Sequence, residues 1–110
     1  DARIERPVFK ENGKQSCYHL YPVRIKNASE AQRDAVIKEI FDQDVSVNVH
    51  FLPVPATSFY RSLGYNAQNY PVAYDNYCRE ITLPLYYDLT DEQVNTVVMA
   101  LKKALDKVAG

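Results

Sequence analysis

Residues 17–51, CYHLYPVRIKNASEAQRDAVIKEIFDQDVSVNVHF, carry two strand-like segments on either side of one helical segment. The first segment, residues 17–26, is rich in aromatic and β-branched residues, which favour strands. Residues 45–51 alternate between apolar and polar side chains, which is the period of a half-buried strand. A helix is predicted over residues 30–42 between them, so the stretch predicts a β-α-β unit.

Capping boxes mark the beginnings of two long helices. Ser29 with Gln32, and Thr90 with Gln93, have the spacing at which a hydroxyl accepts from a free backbone amide and the glutamine side chain reaches back. Apolar residues at helical spacing follow each box. The predicted buried faces are Val36, Ile37, Ile40 and Phe41 in the first helix, and Val94, Val97, Val98, Leu101, Leu105 and Val108 in the last.

The remaining segments are shorter. Residues 1–16 are polar, contain Pro7 and Gly13, and are predicted as a linker with at most a short strand around Val8 and Phe9. The other predicted elements are a helical turn over residues 57–64 that ends at Gly64, a helix over residues 71–80 that begins with Pro71, and a strand over residues 81–86.

These elements predict an α/β (α+β) domain with a small sheet of about three strands covered by two long helices and one or two short ones. Pro22 and Pro84 lie within predicted strands and lack an N–H donor. They are therefore expected at a sheet edge, a bulge or a strand exit.

Composition narrows the class of partner. The chain has 110 residues, 46% hydrophobic and 25% charged, with a formal net charge of -1, which fits one globular domain. Without a dominant basic patch, duplex nucleic acid is not an expected partner. No apolar run approaches the roughly 20 residues of a membrane span, and the polar start has no signal-peptide pattern, so a cytoplasmic location is predicted.

The sequence carries no self-contained active site. Cys17 and Cys78 are predicted to be reduced thiols, and no CxxC, HxxxH or HExxH motif supports a metal site. Ser58, His50 and Asp75 lack the GxSxG context of a hydrolase triad, and no phosphate-binding glycine loop is present.

His50 is the residue that stands out. It shares one face of the predicted strand with Ser46 and Asn48, whereas Val47, Val49 and Phe51 share the other. Two interpretations stay open from the pattern alone. His50 is either a partly exposed surface histidine or a donor and acceptor placed at a cleft.

The order of motifs from Tyr18 to Leu105 resembles the C-terminal part of the DegT/DnrJ/EryC1/StrS family of pyridoxal-phosphate-dependent nucleotide-sugar aminotransferases. The matching segments are HLYPVRI (19–25), RDAVIKEI (33–40), VNVHFLPV (47–54), FYRSLGY (59–65) and YPVAYDNYCREITLPLYYDLTDEQV (70–94).

The resemblance implies the small domain of the aspartate-aminotransferase fold type over residues 17–110. In such enzymes a large N-terminal domain binds pyridoxal phosphate through a lysine, and two subunits form a homodimer with the active sites at their interface. No lysine of this chain lies in a matching motif. The chain alone is therefore expected neither to bind the cofactor nor to transaminate.

The resemblance also assigns candidate substrate-binding residues. His50 matches a histidine that lies near the sugar and the cofactor in relatives, and Phe51 matches the tyrosine beside it without its hydroxyl. Asn48 shares the face of His50, and Arg61 matches an arginine suited to a diphosphate or carboxylate. The position where many members have a second histidine holds Val54 and Pro55, and the position of a frequent glutamate holds Tyr74.

The predicted function is therefore a domain of an enzyme that moves an amino group, from glutamate, to a keto-sugar nucleotide in polysaccharide or glycan biosynthesis. The alternative is a stand-alone, non-catalytic β-α-β module for binding or dimerisation. A large domain encoded upstream of Asp1 would distinguish the enzyme from the module.

Overall fold

The computed structural model describes residues 1–109. Four strands come first along the chain, three α-helices follow them, and one more strand and one more α-helix complete it. Two single-turn 3-10 helices, Val54–Ala56 and Ala67–Asn69, flank the second α-helix. The elements are β1 (Ile4–Glu5), β2 (Lys10–Glu11), β3 (Lys14–Gln15), β4 (Tyr21–Ile25), α1 (Glu30–Phe41), α2 (Ser58–Ser62), α3 (Pro71–Arg79), β5 (Glu80–Leu83) and α4 (Asp91–Ala109).

The main sheet has three antiparallel strands in the order β1-β4-β5. The small α/β class and its three strands are therefore confirmed, although one strand is not the one predicted. Ile4–Glu5, which the sequence predicted to be linker, pairs with Arg24 and Ile25 of β4. The first sixteen residues thus contribute an edge strand to the sheet.

Two prolines end the pairing of β1 with β4. The register pairs Glu5 with Arg24. If the ladder continued by two residues, Pro7 would lie opposite Pro22. Neither proline has an N–H to donate, and the ladder stops. Pro22 therefore lies on a locally open side of the central strand, in agreement with its predicted edge position.

The predicted strand over residues 45–51 is wrong, and the β-α-β unit with it. A single antiparallel bridge joins Asn48 to Thr82. Extending that register would place Pro84, which has no N–H, opposite Ser46. At the other end it would place Glu80 opposite His50, but the Glu80 N–H donates to the Tyr77 carbonyl and the Glu80 carbonyl accepts from Arg33 Nη1 at 3.2 Å. A bridge needs donors and acceptors on both chains, so it cannot grow into a strand.

The N-terminal segment folds back at Asn12 and Gly13, whose φ angles of 50° and 76° are left-handed. Two consecutive left-handed residues are typical of a type I′ hairpin turn, and here they join β2 to β3. The short strand predicted around Val8 and Phe9 is not formed. The strands lie instead on the two sides of this turn, at Lys10–Glu11 and Lys14–Gln15. Further along, Tyr18 has a φ of 57°, which confines the strand predicted from residue 17 to Tyr21–Ile25.

Both predicted capping boxes are formed. The Gln32 amide donates to Ser29 Oγ at 3.3 Å while Gln32 Oε1 accepts from the Ser29 amide at 2.9 Å. The Thr90 box has the same two bonds, at 3.2 and 2.9 Å. The helices begin as predicted because the signal is local and needs no tertiary partner.

The core lies between one face of the sheet and the pair α1 and α4. In α1, Arg33, Val36 and Ile40 are buried, whereas the predicted core residue Phe41 is 48% exposed. In α4, the small residues Ala100 and Ala104 are buried and Val94 and Val98 are largely exposed. The small alanine side chains allow α1 and α4 to approach closely, so that face of α4 is buried. A prediction based on large apolar residues does not identify it. No helix among residues 1–109 is long and apolar enough to span a membrane.

Candidate functional site

A cleft of about 410 Å³ opens on the polar face of the sheet, opposite the core. Along β4 and β5 the side chains of Val23 and Ile81 enter the core, so Arg24 and Glu80 point to the other face. The cleft combines charged, amide and aromatic groups with an apolar rim. Its lining residues are Pro7, Val8, Pro22, Arg24, His50, Phe51, Ala73, Asn76, Tyr77 and Glu80.

His50 lies in this cleft, held through its backbone. Its N–H donates to Glu80 Oε2 at 2.9 Å. The ring atom Nδ1 is inaccessible to solvent and has no hydrogen-bond partner among the described residues. Because solvent does not reach Nδ1, a ligand in the cleft would contact the other atoms of the imidazole. The structure therefore places His50 among the residues that line the cleft.

Phe51 stands beside His50 with its ring edge-on, at 4.5 Å between ring centroids and an interplanar angle of 83°. The phenyl ring is 73% exposed. An aromatic ring this exposed offers an apolar surface to a ligand or to another part of a protein.

The opposite wall is a hydrogen-bonded set of residues from β1, β4 and α3. Arg24 Nη1 donates to Asn76 Oδ1 at 2.7 Å, and Arg24 Nε lies 3.3 Å from the Glu5 carboxylate. The same carboxylate is 3.2 Å from Arg79 Nη1. These contacts hold α3 against the sheet edge and fix the guanidinium of Arg24 at the cleft.

Tyr77 closes the rear of the cleft and connects it to α1. Its hydroxyl donates to Glu30 Oε1 at 2.7 Å, and the Arg33 guanidinium lies 4.8 Å from its ring centroid. Burial, followed by the hydrogen bond to Glu30, raises the pKa of Tyr77 above that of a free phenol. Tyr77 therefore stays protonated as a donor at neutral pH.

Two of the four predicted site residues line the cleft in the structure, and two do not. His50 and Phe51 line the cleft, whereas Asn48 and Arg61 do not. Asn48 Oδ1 accepts from the amide of Val49 at 2.8 Å, and Arg61 is exposed on α2. Ser58 and Asp75 also lie outside the cleft, and Asp75 is paired with Arg79 at 2.7 Å.

Sequence reasoning missed Arg24, Asn76, Tyr77 and Glu80 as cleft residues. Arg24 could have been found, because alternation along YPVRI places it opposite the apolar side chains of its strand. Glu80 and Asn76 gave no such signal, since one begins a strand and the other lies within a helix.

The positions of the lysines bear on pyridoxal phosphate, the cofactor that the family resemblance implies. A lysine that binds this cofactor covalently must be held beside it in a protected site. Every lysine of the chain is exposed and none lines the His50 cleft. Within residues 1–109 no group of three or more His, Cys, Asp or Glu side chains is arranged to hold a metal ion.

Both cysteines are free, with Cys17 exposed and Cys78 half-buried on α3. Burial raises the pKa of the Cys78 thiol, and the negative charge of Glu30 raises it further. The folded chain therefore holds this proton more tightly than the unfolded chain. The group stabilises the fold below the ordinary thiol pKa of about 8.5, and the contribution is lost as pH rises through the higher folded value.

We expect iodoacetamide at pH 7 to alkylate Cys17 well before Cys78, because the thiolate is the reactive form. The rate at Cys78 should continue to rise with pH above about 8.5. Mass spectrometry of the digested chain gives both rates, and a Cys17→Ser variant isolates the second. Equal rates at pH 7 under native conditions would contradict the burial of Cys78.

The fold is similar to part of the fold of solved aminotransferase structures. Putative sugar aminotransferase Spr1654 from Streptococcus pneumoniae, in its PMP form, superposes with a TM-score of 0.92 at 37% identity, covering 96% of this chain and 27% of that one. The aminotransferase TlmJ from Streptoalloteichus hindustanus superposes with a TM-score of 0.82 at 25% identity, covering 97% and 27% of the two chains.

The sequence places the chain in a family. The profile of the DegT/DnrJ/EryC1/StrS aminotransferase family matches residues 1–102, and the chain belongs to that family. It is 37% identical over 103 residues to the uncharacterised protein MJ1066 of Methanocaldococcus jannaschii, covering 92% of this chain and 26% of that protein. It is 28% identical over 99 residues to the spore coat polysaccharide biosynthesis protein SpsC of Bacillus subtilis, covering 87% and 25%. The chain thus spans about a quarter of the length of these relatives.

Proposed function

We propose that this chain is the small C-terminal domain of a pyridoxal-phosphate-dependent sugar aminotransferase. The observation that carries the proposal is the cleft containing His50, in a chain whose family match extends over residues 1–102. In the longer enzyme the substrate would be a keto-sugar nucleotide and the amino donor glutamate. The pathway would be the synthesis of a polysaccharide or glycan in the cytoplasm.

Within this proposal the domain supplies one wall of the active site. The His50 imidazole hydrogen-bonds a polar group of the substrate, and the ring of Phe51 packs against its apolar side. Arg24 faces His50 across the cleft. Asn48 and Arg61, which lie outside the cleft, would contact substrate only where another domain or subunit extends the site past them.

The cofactor would be bound by the large N-terminal domain, because the lysines of this chain are exposed and outside the cleft. Pyridoxal phosphate supplies the electron sink that amino-group transfer requires. The role of residues 1–110 is to bind and orient the substrate and to exclude water from one side. The chain alone is expected to be inactive.

The partner of the domain would be its own large domain, in a homodimer. Support comes from a run of exposed apolar side chains after the cleft. A monomeric domain rarely exposes so many large apolar side chains in one segment. Those at least 45% exposed between residues 51 and 72 are Phe51, Leu52, Val54, Phe59, Leu63, Tyr65 and Val72.

The test is transamination by the protein encoded by the complete reading frame. We expect it to aminate a keto-sugar nucleotide with glutamate as donor, and His50→Ala to lower kcat/KM by about fivefold to tenfold, the value of one substrate hydrogen bond. Steady-state kinetics with coupled detection of 2-oxoglutarate measures both.

His19→Ala is a matched control, since the other histidine is exposed and outside the cleft. It should keep wild-type kinetics. Unchanged kcat/KM in a folded His50→Ala enzyme would remove His50 from the site. A reading frame that encodes no large domain upstream of Asp1 would favour the stand-alone binding module instead.

A further inference from the structure

The side chain of Glu80 lies beneath His50 at the start of β5. Glu80 is 7% exposed, and its two carboxylate oxygens have different partners. Oε2 accepts from the His50 N–H at 2.9 Å, and Oε1 accepts from the Thr82 hydroxyl. We propose that Glu80 is a positioning residue that fixes His50 in the cleft. The inference rests on the proposed role of His50 in substrate binding.

The backbone geometry explains why a side chain is needed here. The bridge between Asn48 and Thr82 has the register that would place His50 opposite Glu80. In a continuing antiparallel ladder the His50 N–H would donate to the Glu80 carbonyl. Here the Glu80 carbonyl accepts from Arg33 Nη1 at 3.2 Å, and the His50 N–H donates to the Glu80 carboxylate instead.

This replacement has a structural consequence for the cleft. The segment after Asn48 leaves the sheet, yet His50 remains attached to β5 through the Glu80 side chain. Glu80 is held at two points, by Arg33 at its backbone carbonyl and by Thr82 at its carboxylate. The hydrogen bond therefore determines the position of the His50 backbone, and with it the point from which the imidazole side chain extends into the cleft.

The chemistry of the acceptor supports the assignment. No basic side chain among residues 1–109 forms an ion pair with Glu80 within 4.0 Å. A buried carboxylate without a cation must be satisfied by hydrogen bonds, and bonds to a charged acceptor are stronger than those to a neutral one. The His50 N–H and the Thr82 hydroxyl are the donors present.

The first test uses nuclear magnetic resonance on the chain itself and does not depend on activity. In Glu80→Gln the neutral amide oxygen is a weaker acceptor, so the His50 amide proton should move upfield. Its shift should exceed that of every amide outside residues 78–82. A His50 amide resonance that stays in place would overturn the hydrogen bond, and the proposal with it.

The second test is a double-mutant cycle in the longer enzyme. Glu80→Ala should lower kcat/KM by about tenfold in the wild-type background and by less than about twofold in a His50→Ala background, because Glu80 acts through the imidazole. Glu80→Gln, whose amide oxygen can still accept from His50, should retain kcat/KM within about threefold of wild type.

The outcomes separate the two proposals. If the wild-type enzyme shows no transamination, the proposed function fails while the resonance test still decides the contact. If Glu80→Ala lowers kcat/KM equally in both backgrounds, its effect is independent of His50 and the positioning role is wrong. If Glu80→Ala does not fold, the cycle is run with Glu80→Leu, which also removes the acceptor but fills more of the space, and a loss that persists in the His50→Ala background is again contrary.

Discussion

Arg33→Ala should reduce the free energy of unfolding of the chain by on the order of 3 kcal/mol. Arg33 is 1% exposed. Its Nη1 donates to the carbonyls of Tyr77 and Glu80, at 3.1 and 3.2 Å, and its guanidinium lies over the Tyr77 ring. Truncation leaves two carbonyls without this donor and opens a cavity between α1, α3 and β5.

Urea denaturation followed by circular dichroism measures the change in free energy. In a thermal scan Tm should fall by roughly 12–24 °C, since 1 kcal/mol corresponds to about 4–8 °C in a small domain. Arg61→Ala is the control, because Arg61 is exposed on α2. It should stay within about 0.5 kcal/mol of wild type. Similar losses for the two variants would show that Arg33 does not connect α1 to β5.

Arg33→Met separates the polar contribution from the cavity. The methionine side chain fills much of the arginine volume but donates no hydrogen bond. If the lost hydrogen bonds dominate, Arg33→Met should be nearly as destabilising as Arg33→Ala. Recovery of most of the wild-type stability would instead show that volume dominates at this position.

Leu105→Ala should reduce the free energy of unfolding by about 3 kcal/mol, through lost burial and the cavity left behind. Leu105 is 0% exposed and belongs to the core cluster with Val23, Ile40 and Ile81. A domain with a total stability of about 5–15 kcal/mol loses a large part of it through this change. The urea midpoint is expected to fall while the slope of the transition stays constant.

Met99→Ala tests the same helix without touching the core. Met99 is 51% exposed on α4, so its truncation should change stability by less than about 0.5 kcal/mol. Alanine has a slightly higher helix propensity than the residue it replaces in both variants. The difference in stability between the two variants therefore reports the burial of the replaced side chain. Equal losses at Leu105 and Met99 would contradict the packing of α4 described above.

The helices were predictable because their determinants are local. The Ser29 and Thr90 capping boxes and Pro71 at the first turn of α3 act within one turn of the chain, and the structure has the helices where these signals place them. The buried face of α4 was less predictable. Ala100 and Ala104 are selected by how closely α1 approaches, which the sequence of α4 alone does not contain.

The candidate site was predictable in part. The alternation of residues 45–51 singled out His50, and the family motif assigned Phe51, which the alternation had placed on the opposite face. Both line the cleft. Glu80, Asn76 and Tyr77 reach the cleft from a strand end and a helix far along the chain. Their contribution depends on the packing of α3 against the sheet.

The sequence by itself determined the helix beginnings, the small α/β class and the family, because capping, periodicity and motif order are properties of neighbouring residues. The tertiary structure alone decided the pairing of the strands. Ile4–Glu5 became a strand and residues 45–51 did not, since a ladder needs a donor and an acceptor opposite each other. Prolines withhold the donor at positions 7, 22 and 84, and the buried Arg33 occupies the acceptor at Glu80.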